Sequence, residues 1–529
     1  MPRLGHGDSI SLEQFRIARN ALTTLSANVP AGFAAMQPVN TKDFDFLFKE
    51  LQQNPDNLSP EAPKTRNDLI TLGRTMQDTG GAGVGGDSNI PAAYTYFGQF
   101  VDHDITLEAH SADLPHLLDP NLTPLTRREI RDKVRNSRSA ILDLDSVYGS
   151  PAPRDGEKLQ IGHVTALNGG AIPQLRPPGK GDDSDLPREP RGSVPEHDRA
   201  ALIGDPRNDE NLVVAQLHVA FLHAHNKLVD QGETFGSARR ILRRHYQHII
   251  LHDFLKRIAD PQIVDETIQS NRVYDPRDAR FFLPLEFSVA AYRFGHSMVR
   301  AVYDFNLNFN TSGPPAVPAT LDLLFTFTAL SGGLGFGQGT DTLPDNWIIQ
   351  WENFVDTGAS FNKARRIDTK LVEPLFHLRN VQGVEEQGDG ARLAVRNLLR
   401  GYLLRLPTGQ AVAGALQQQL QGVRSIPVLS AQQIRNGAHS QQQAQALQQG
   451  GFLERTPLWY YILTEAATLG NGQHLGPVGS TIVAEVLVGL IRRTPNSILN
   501  TNNPGPDLPS AQPGTFTLAD LLRFAGALT

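Results

Sequence analysis

The chain contains no cysteine among its 529 residues. That excludes disulfides, thiolate metal sites, iron–sulfur clusters and cysteine nucleophiles, and leaves His, Asp, Glu and backbone oxygens as ligands for any metal. Long apolar runs are missing too. The N-terminal stretch MPRLGHGDSISLEQF lacks the apolar core of a secretory signal. The most apolar late run, STIVAEVLVGLI (480–491), is too short to span a bilayer and contains Glu485. The expectation is a soluble protein with no membrane span, either cytoplasmic or non-classically secreted. Nor is there a basic excess: 49 Lys and Arg stand against 55 Asp and Glu, and the net charge of -6 gives no electrostatic footprint for nucleic acid. No repeat of fixed period is present.

What is there is mainly helical. NLVVAQLHVAFLHAHNKLVDQ (211–231), ARRILRRHYQHIILHDFLKRIAD (238–260) and FSVAAYRFGHSMVRAVYDF (287–305) repeat apolar residues at three- and four-residue intervals over lengths no strand reaches. Long Pro/Gly-rich segments separate them, so the expected architecture is mainly α with long irregular loops and little β. Two divisions are expected: 1–85, an N-terminal arm and loop packed on the rest, and 86–529, a catalytic domain. Gly81, Gly83 and Gly86 have dinucleotide-fingerprint spacing, but LGRTMQD precedes them and SNIP follows where a strand and a helix are required, so the stretch reads as a loop. The Gln-rich tract at 417–451 reads as surface helix and loop.

The stretch YTYFGQFVDHDITLEAH (94–110) carries three consecutive ionisable groups, Asp102, His103 and Asp104, between apolar flanks. On a helix, successive residues turn by about 100°, so the three must serve at least two sites. Gln99 shares a broad face with Asp102 and His103, while Asp104 projects elsewhere. Downstream, SRSAILDLDSVYGS offers Ser139, Asp143, Asp145 and the Ile141 carbonyl in period-two alternation, as an extended or looped segment would. Hard oxygen donors of this kind, completed by Asp104, suit Ca²⁺. The histidines at 245, 248 and 252 share a helix face without a carboxylate trio in a strongly basic segment, and read as satisfied polar residues. His218, His223 and His225 read as packing and hydrogen-bonding residues.

The ordered set GQFVDHD, LDLDSVYGS, GDPRNDEN with HNKLVD, then YRFGH resembles the animal-type haem peroxidases of the peroxidase-cyclooxygenase superfamily, over roughly 90–500. The likeness is closest to bacterial members, since the disulfides of the secreted mammalian enzymes are absent. The resemblance implies a haem peroxidase that reduces H₂O₂ and oxidises small organic donors such as phenols, and halides as a further class. His103 would be the base and then acid that moves the peroxide proton, Arg207 the fixed cation, and Gln99 their neighbour. Taken alone, Arg207 reads as a surface charge; locally, Asp205 suits an N-cap and Pro206 the first helical position.

His296 would ligate the haem iron, with Asn397 accepting from its other ring nitrogen, and Arg293 and Arg400 would meet the propionates. Asp102 and Glu210 match the carboxylates that can form ester bonds to a b-type haem; Asn211 stands where a third, sulfonium link would need methionine. The resemblance leaves two further readings, a haem fatty-acid oxygenase of the same superfamily and a non-catalytic calcium-binding adhesion protein on this scaffold. The first is disfavoured because Arg293 occupies the position of the oxygenase radical tyrosine, three before the proximal histidine. Tyr292, four before it, is expected to be rotated by about 100° from that place.

Overall fold

The computed structural model describes residues 10–11, 43–80, 86–149, 152–167, 175–192, 197–275, 282–313, 317–326, 341–379, 385–501 and 505–529. Residues 81–85 of the glycine loop lie outside them. Seven helices carry the argument: α1 (Pro63–Arg74), α2 (Ala93–Ile105), α3 (Leu212–Asp230), α4 (Phe235–Ile249), α5 (Leu393–Leu403), α6 (Leu458–Leu469) and α7 (Pro477–Arg493). The described strands are two to five residues long and pair in sheets of at most three, so the fold class is mainly α.

Helix α3 starts where Asn211 accepts from the Val214 N–H at 3.0 Å, and every residue from Leu212 to Leu222 is buried. An all-round apolar helix of this kind lies inside a large core, and others pack around it. Helix α7, the apolar run around Glu485, is likewise internal. The Glu485 carboxylate accepts the backbone N–H groups of Arg272, Val273 and Tyr274. Among the described residues no helix is long and apolar enough to cross a membrane. Helix α1 braces α5 at backbone distance: a Cβ added to Gly73 would lie 2.8 Å from Val395 Cγ2 and 2.9 Å from Val395 Cα. Glycine there lets α5, which carries Asn397 and Arg400, approach closely.

The early chain is sewn to the middle of the sequence. Phe44 and Asp45 (β1) pair in parallel with Leu283 and Pro284 (β2), and the buried Glu286 accepts the N–H groups of Leu47 at 2.8 Å and Phe48 at 3.1 Å. One helix expectation needs correction. The segment 287–305 is not a continuous α-helix. It runs as a π-helical turn (Glu286–Ala290), a 3₁₀ turn (Ala291–Phe294) and one α-turn (Gly295–Met298), then leaves the helix, and Val302–Tyr303 pair as a strand with Ala319–Thr320. A second π-turn (Ile250–Phe254) follows α4.

Candidate active site

Helix α2 is held from two sides. Phe100 stacks on Phe221 of α3 at 4.7 Å between ring centroids, and Phe97 meets Tyr246 and Phe254 edge-on. These contacts bury one face of α2 and turn Gln99, Asp102 and His103 to a cavity of about 670 Å³. Arg207, Glu210, Arg293, His296, Asn397 and Arg400 line the same cavity. Its size falls in the range, about 300–1,000 Å³, typical of cofactor and small-molecule sites.

Arg207 sits on a 3₁₀ turn (Pro206–Asp209) separate from α3, which begins only after the break at Asn211. Asp205 caps that turn as expected, its Oδ1 accepting from Arg207 N at 2.9 Å. It does more: Oδ1 also accepts from Arg207 Nε (3.0 Å), Oδ2 accepts from Arg207 Nη2 (2.7 Å), and Arg138 pairs with the same carboxylate. Burial alone would raise Asp205, but Arg138 and Arg207 outweigh it and hold its carboxyl well below the usual range. Burial works against the Arg207 charge, and Asp205 more than restores it. The guanidinium is further fixed by the Thr106 carbonyl at the end of α2. The fixed cation and the imidazole of His103 are thus tied to one helix terminus.

His103 is buried, and burial followed by the Arg207 charge pushes its pKa down. Its Nδ1 lies 2.8 Å from Asn208 Oδ1, and Asn208 Nδ2 lies 3.0 Å from Nδ1 of His218. Gln99 Oε1 accepts from Asn211 Nδ2 at 2.9 Å. Across the cavity lining, His296 Nδ1 is 2.8 Å from Asn397 Nδ2, while Asn397 Oδ1 accepts from Arg293 Nη1 at 2.7 Å. The amide oxygen expected to serve His296 is therefore engaged by Arg293. Arg400 pairs with Glu108, and burial pushes its pKa down to about 10. Trp459 Nε1 donates to the Arg293 carbonyl at 3.2 Å, anchoring the turn before His296.

Sequence reasoning gave no site role to four groups, two of which, His218 and Tyr292, it named and set aside. Asn208 and His218 link to His103 through bonds between separate elements, and Arg138 reaches Asp205 from 67 residues away. The only local signal was an amide directly after Arg207. The fourth is Tyr292. Its buried hydroxyl lines the cavity with no hydrogen-bond partner among the described residues, as do the hydroxyls of Ser288 and Thr95. The uniform 100° step used to rotate Tyr292 away does not apply to a segment that mixes π, 3₁₀ and α turns.

The acidic set lies behind α2. Asp104 is fully buried and accepts from Leu144 N and Ser146 N, both at 3.2 Å, and from the Tyr246 hydroxyl. Burial, then the charge of Asp145, pushes its pKa up to about 7; Asp143 is raised by burial, then by Asp145 and Asp104. Asp143 Oδ1 is buried without a hydrogen-bond partner among the described residues. Of the two forms expected, extended or looped, the segment takes the looped one. Ala140 and Leu144 adopt positive φ (49° and 63°), and Asp145 opens a short helix, Asp145–Tyr148. Among the described residues, no three acidic or histidine side chains surround a metal-sized point. The histidines set aside earlier are mostly satisfied. His245 Nδ1 bonds the Ile241 carbonyl, His223 Nε2 the Asp183 carbonyl, and His225 both Tyr148 and the Glu157 carbonyl.

A family model described as animal haem peroxidase matches residues 75–326. Among curated relatives, a peroxidase-like protein of Margaritifera margaritifera is 30% identical over 258 residues, covering 40% of this chain and 32% of that protein. Mouse (Mus musculus) myeloperoxidase is 24% identical over 305 residues, 46% of this chain and 41% of that protein. The chain thus spans less than half the length of these relatives. Among solved structures, peroxidase A from Dictyostelium discoideum superposes with a TM-score of 0.56 at 17% identity, covering 89% of this chain and 93% of that one. The Oryza sativa fatty acid alpha-dioxygenase gives 0.53 at 14% identity, over 84% and 73%. Over residues 75–326 the chain is therefore similar to the animal haem peroxidases.

Proposed function

We propose that the protein is a haem peroxidase that reduces H₂O₂ and oxidises small organic donors such as phenols, and halides as a second donor class. Residues 86–529 form its catalytic domain, with 1–85 as an arm packed on it. The observation that carries the reading is that His103, Arg207 and His296 line one cavity together with Gln99, Asp102, Glu210, Arg293, Asn397 and Arg400.

The residues fit a haem. The cavity is large, it offers an imidazole whose Nδ1 is already held, and it holds buried unpartnered hydroxyls beside two cations for carboxylates. Bound there, a haem supplies the redox centre that accepts oxidising equivalents from peroxide. His296 would ligate the iron. Arg293 and Arg400 would meet the propionates, Arg293 giving up the Asn397 oxygen and so freeing it for the imidazole N–H. His103 takes a proton from one peroxide oxygen and returns it to the departing one, and Arg207 stabilises the charge that develops there. Asp102 and Glu210 are the carboxylates for ester links to the haem.

Asp104, Ser139, the Ile141 carbonyl, Asp143 and Asp145 would hold Ca²⁺. Their hard oxygens, the mutual repulsion of the carboxylates and the unpartnered Asp143 Oδ1 all favour a cation. The test is an absorption spectrum of the haem-loaded protein, followed by turnover of H₂O₂ with a phenolic donor. His296→Ala should lose the Soret band, and His103→Ala or Arg207→Ala should keep it while losing most of the rate. A Soret band unchanged in His296→Ala, or full rate in the His103 variant, refutes the reading.

The second reading is a fatty-acid oxygenase, favoured by the unpartnered Tyr292 hydroxyl in the cavity. Rapid oxygen uptake with a polyunsaturated fatty acid that disappears in Tyr292→Phe would replace the first reading with this one.

A further inference from the structure

We propose that Asn208 is the positioning residue for His103, fixing the imidazole proton on Nδ1 so that Nε2 presents a lone pair to the cavity, and that His218 orients the Asn208 amide. The inference rests on the peroxidase reading for its purpose but not for its geometry. The three side chains form a chain of two hydrogen bonds, 2.8 Å and 3.0 Å long, and their exposures are 4%, 0% and 0%. At such burial each end of the amide must match the ring nitrogen it faces.

An amide oxygen only accepts. With Oδ1 toward His103, Nδ1 of that ring must carry the hydrogen, and a neutral ring then has none left for Nε2. The base required in the cavity is that bare nitrogen. At the other end, Nδ2 only donates, so His218 must accept at Nδ1 and keep its own hydrogen on Nε2. Burial pushes the His218 pKa down to about 3, which keeps the ring neutral and able to accept. The arrangement has a cost: His218 Nε2 is buried without a partner among the described residues. Rotating the amide by 180° would exchange that stranded Nε2–H for a stranded Nε2 lone pair, because Nδ1–H of His218 would then donate to Oδ1. The same rotation would force the His103 hydrogen onto Nε2 and remove the base. Asn208 and His218 thus set one of two proton arrangements, and only one can take a proton from peroxide.

The test is the tautomer state of His103 by ¹⁵N NMR of the histidine-labelled full chain, assigned by loss of signal in His103→Gln, before any haem is added. The native protein should show His103 as the Nδ1–H form and His218 as the Nε2–H form. Asn208→Ala should move His103 toward Nε2–H. In Asn208→Asp, whose two oxygens both accept, His103 should stay Nδ1–H while His218 switches to Nδ1–H, and this variant guards against a misfolded alanine. In the haem-loaded protein, Asn208→Ala should slow the reaction with H₂O₂ by roughly 10²-fold or more, with donor oxidation little changed and the Asp variant restoring the rate. A His103 found as Nε2–H in the native protein, or unmoved in Asn208→Ala, overturns the proposal. The predicted tautomers in a chain that does not reduce peroxide would leave the relay standing and remove the peroxidase reading.

Discussion

Replacing Asp205 with asparagine removes one negative charge from a place where two buried guanidinium groups share its carboxylate. Asp205 is fully buried, and Arg138 and Arg207 are 5% and 8% exposed. Asparagine keeps an oxygen for the Arg207 N–H but turns an N–H₂ toward the two guanidinium groups that Oδ2 now serves. Breaking a buried ion pair from one side costs about 3–5 kcal/mol, because the remaining charge stays desolvated. No discount for solvent screening applies at this burial. An unfolding entropy of about 2.1 cal/mol/K per residue gives roughly 1.1 kcal/mol/K for the whole chain, so the melting temperature should fall by roughly 3–5 °C. Thermal unfolding followed by circular dichroism measures it. Arg138→Met combined with Asp205→Asn should cost less than the two single changes together, since the pair variant strands one cation fewer. A melting temperature within about 1 °C of the native protein, or strict additivity in the cycle, would refute the ion-pair reasoning.

Three further outcomes are expected. Asp143→Asn should make melting insensitive to chelator and, in chelated protein, raise stability by relieving carboxylate repulsion; a chelator response equal to that of the native chain removes Asp143 from the calcium set. For His218, the folded pKa of about 3 lies below the ordinary 6.5. The unfolded chain therefore takes a proton that the folded one refuses, and stability should fall as pH drops from about 6.5 toward 3, by at most about 5 kcal/mol. Urea titrations across that window should show a shallower fall in His218→Gln, and an identical slope would contradict it. Gly73→Ala should destabilise by about 1–3 kcal/mol, because its Cβ meets Val395 backbone; an exposed helical glycine would instead gain stability from the same change.

Much of this was legible in the sequence. The period of 211–231 marked α3 to within a residue, that of 238–260 marked α4 together with the π-turn and short helix that continue it to Ile258, and the ordered motifs brought together nine side chains that line one cavity. What stayed hidden depended on bonds between distant segments. His103, Asn208 and His218 come from three elements, and nothing in their spacing says that an amide will lie between two rings. The segment 287–305 misled for a different reason: its apolar spacing suits any helix, and π and 3₁₀ turns change the angle per residue without changing that pattern. The path of the Asp143 and Asp145 segment, read as extended or looped, stayed open because the sequence does not announce positive φ at an alanine and a leucine.

The pairing of Phe44 and Asp45 with Leu283 and Pro284 also constrains the order of assembly. Glu286 accepts from Leu47 across 239 residues, so that whole stretch must follow Leu47 out of the ribosome before residues 44–48 can take their final place. Until then Phe44, Phe46 and Phe48, all buried in the finished fold, have no partner surface from the middle of the sequence. A contact of such separation makes loop closure a late and slow event. Residues 44–48 therefore depend on a late contact, and folding yield should depend on that contact more steeply than the stability of the finished molecule does.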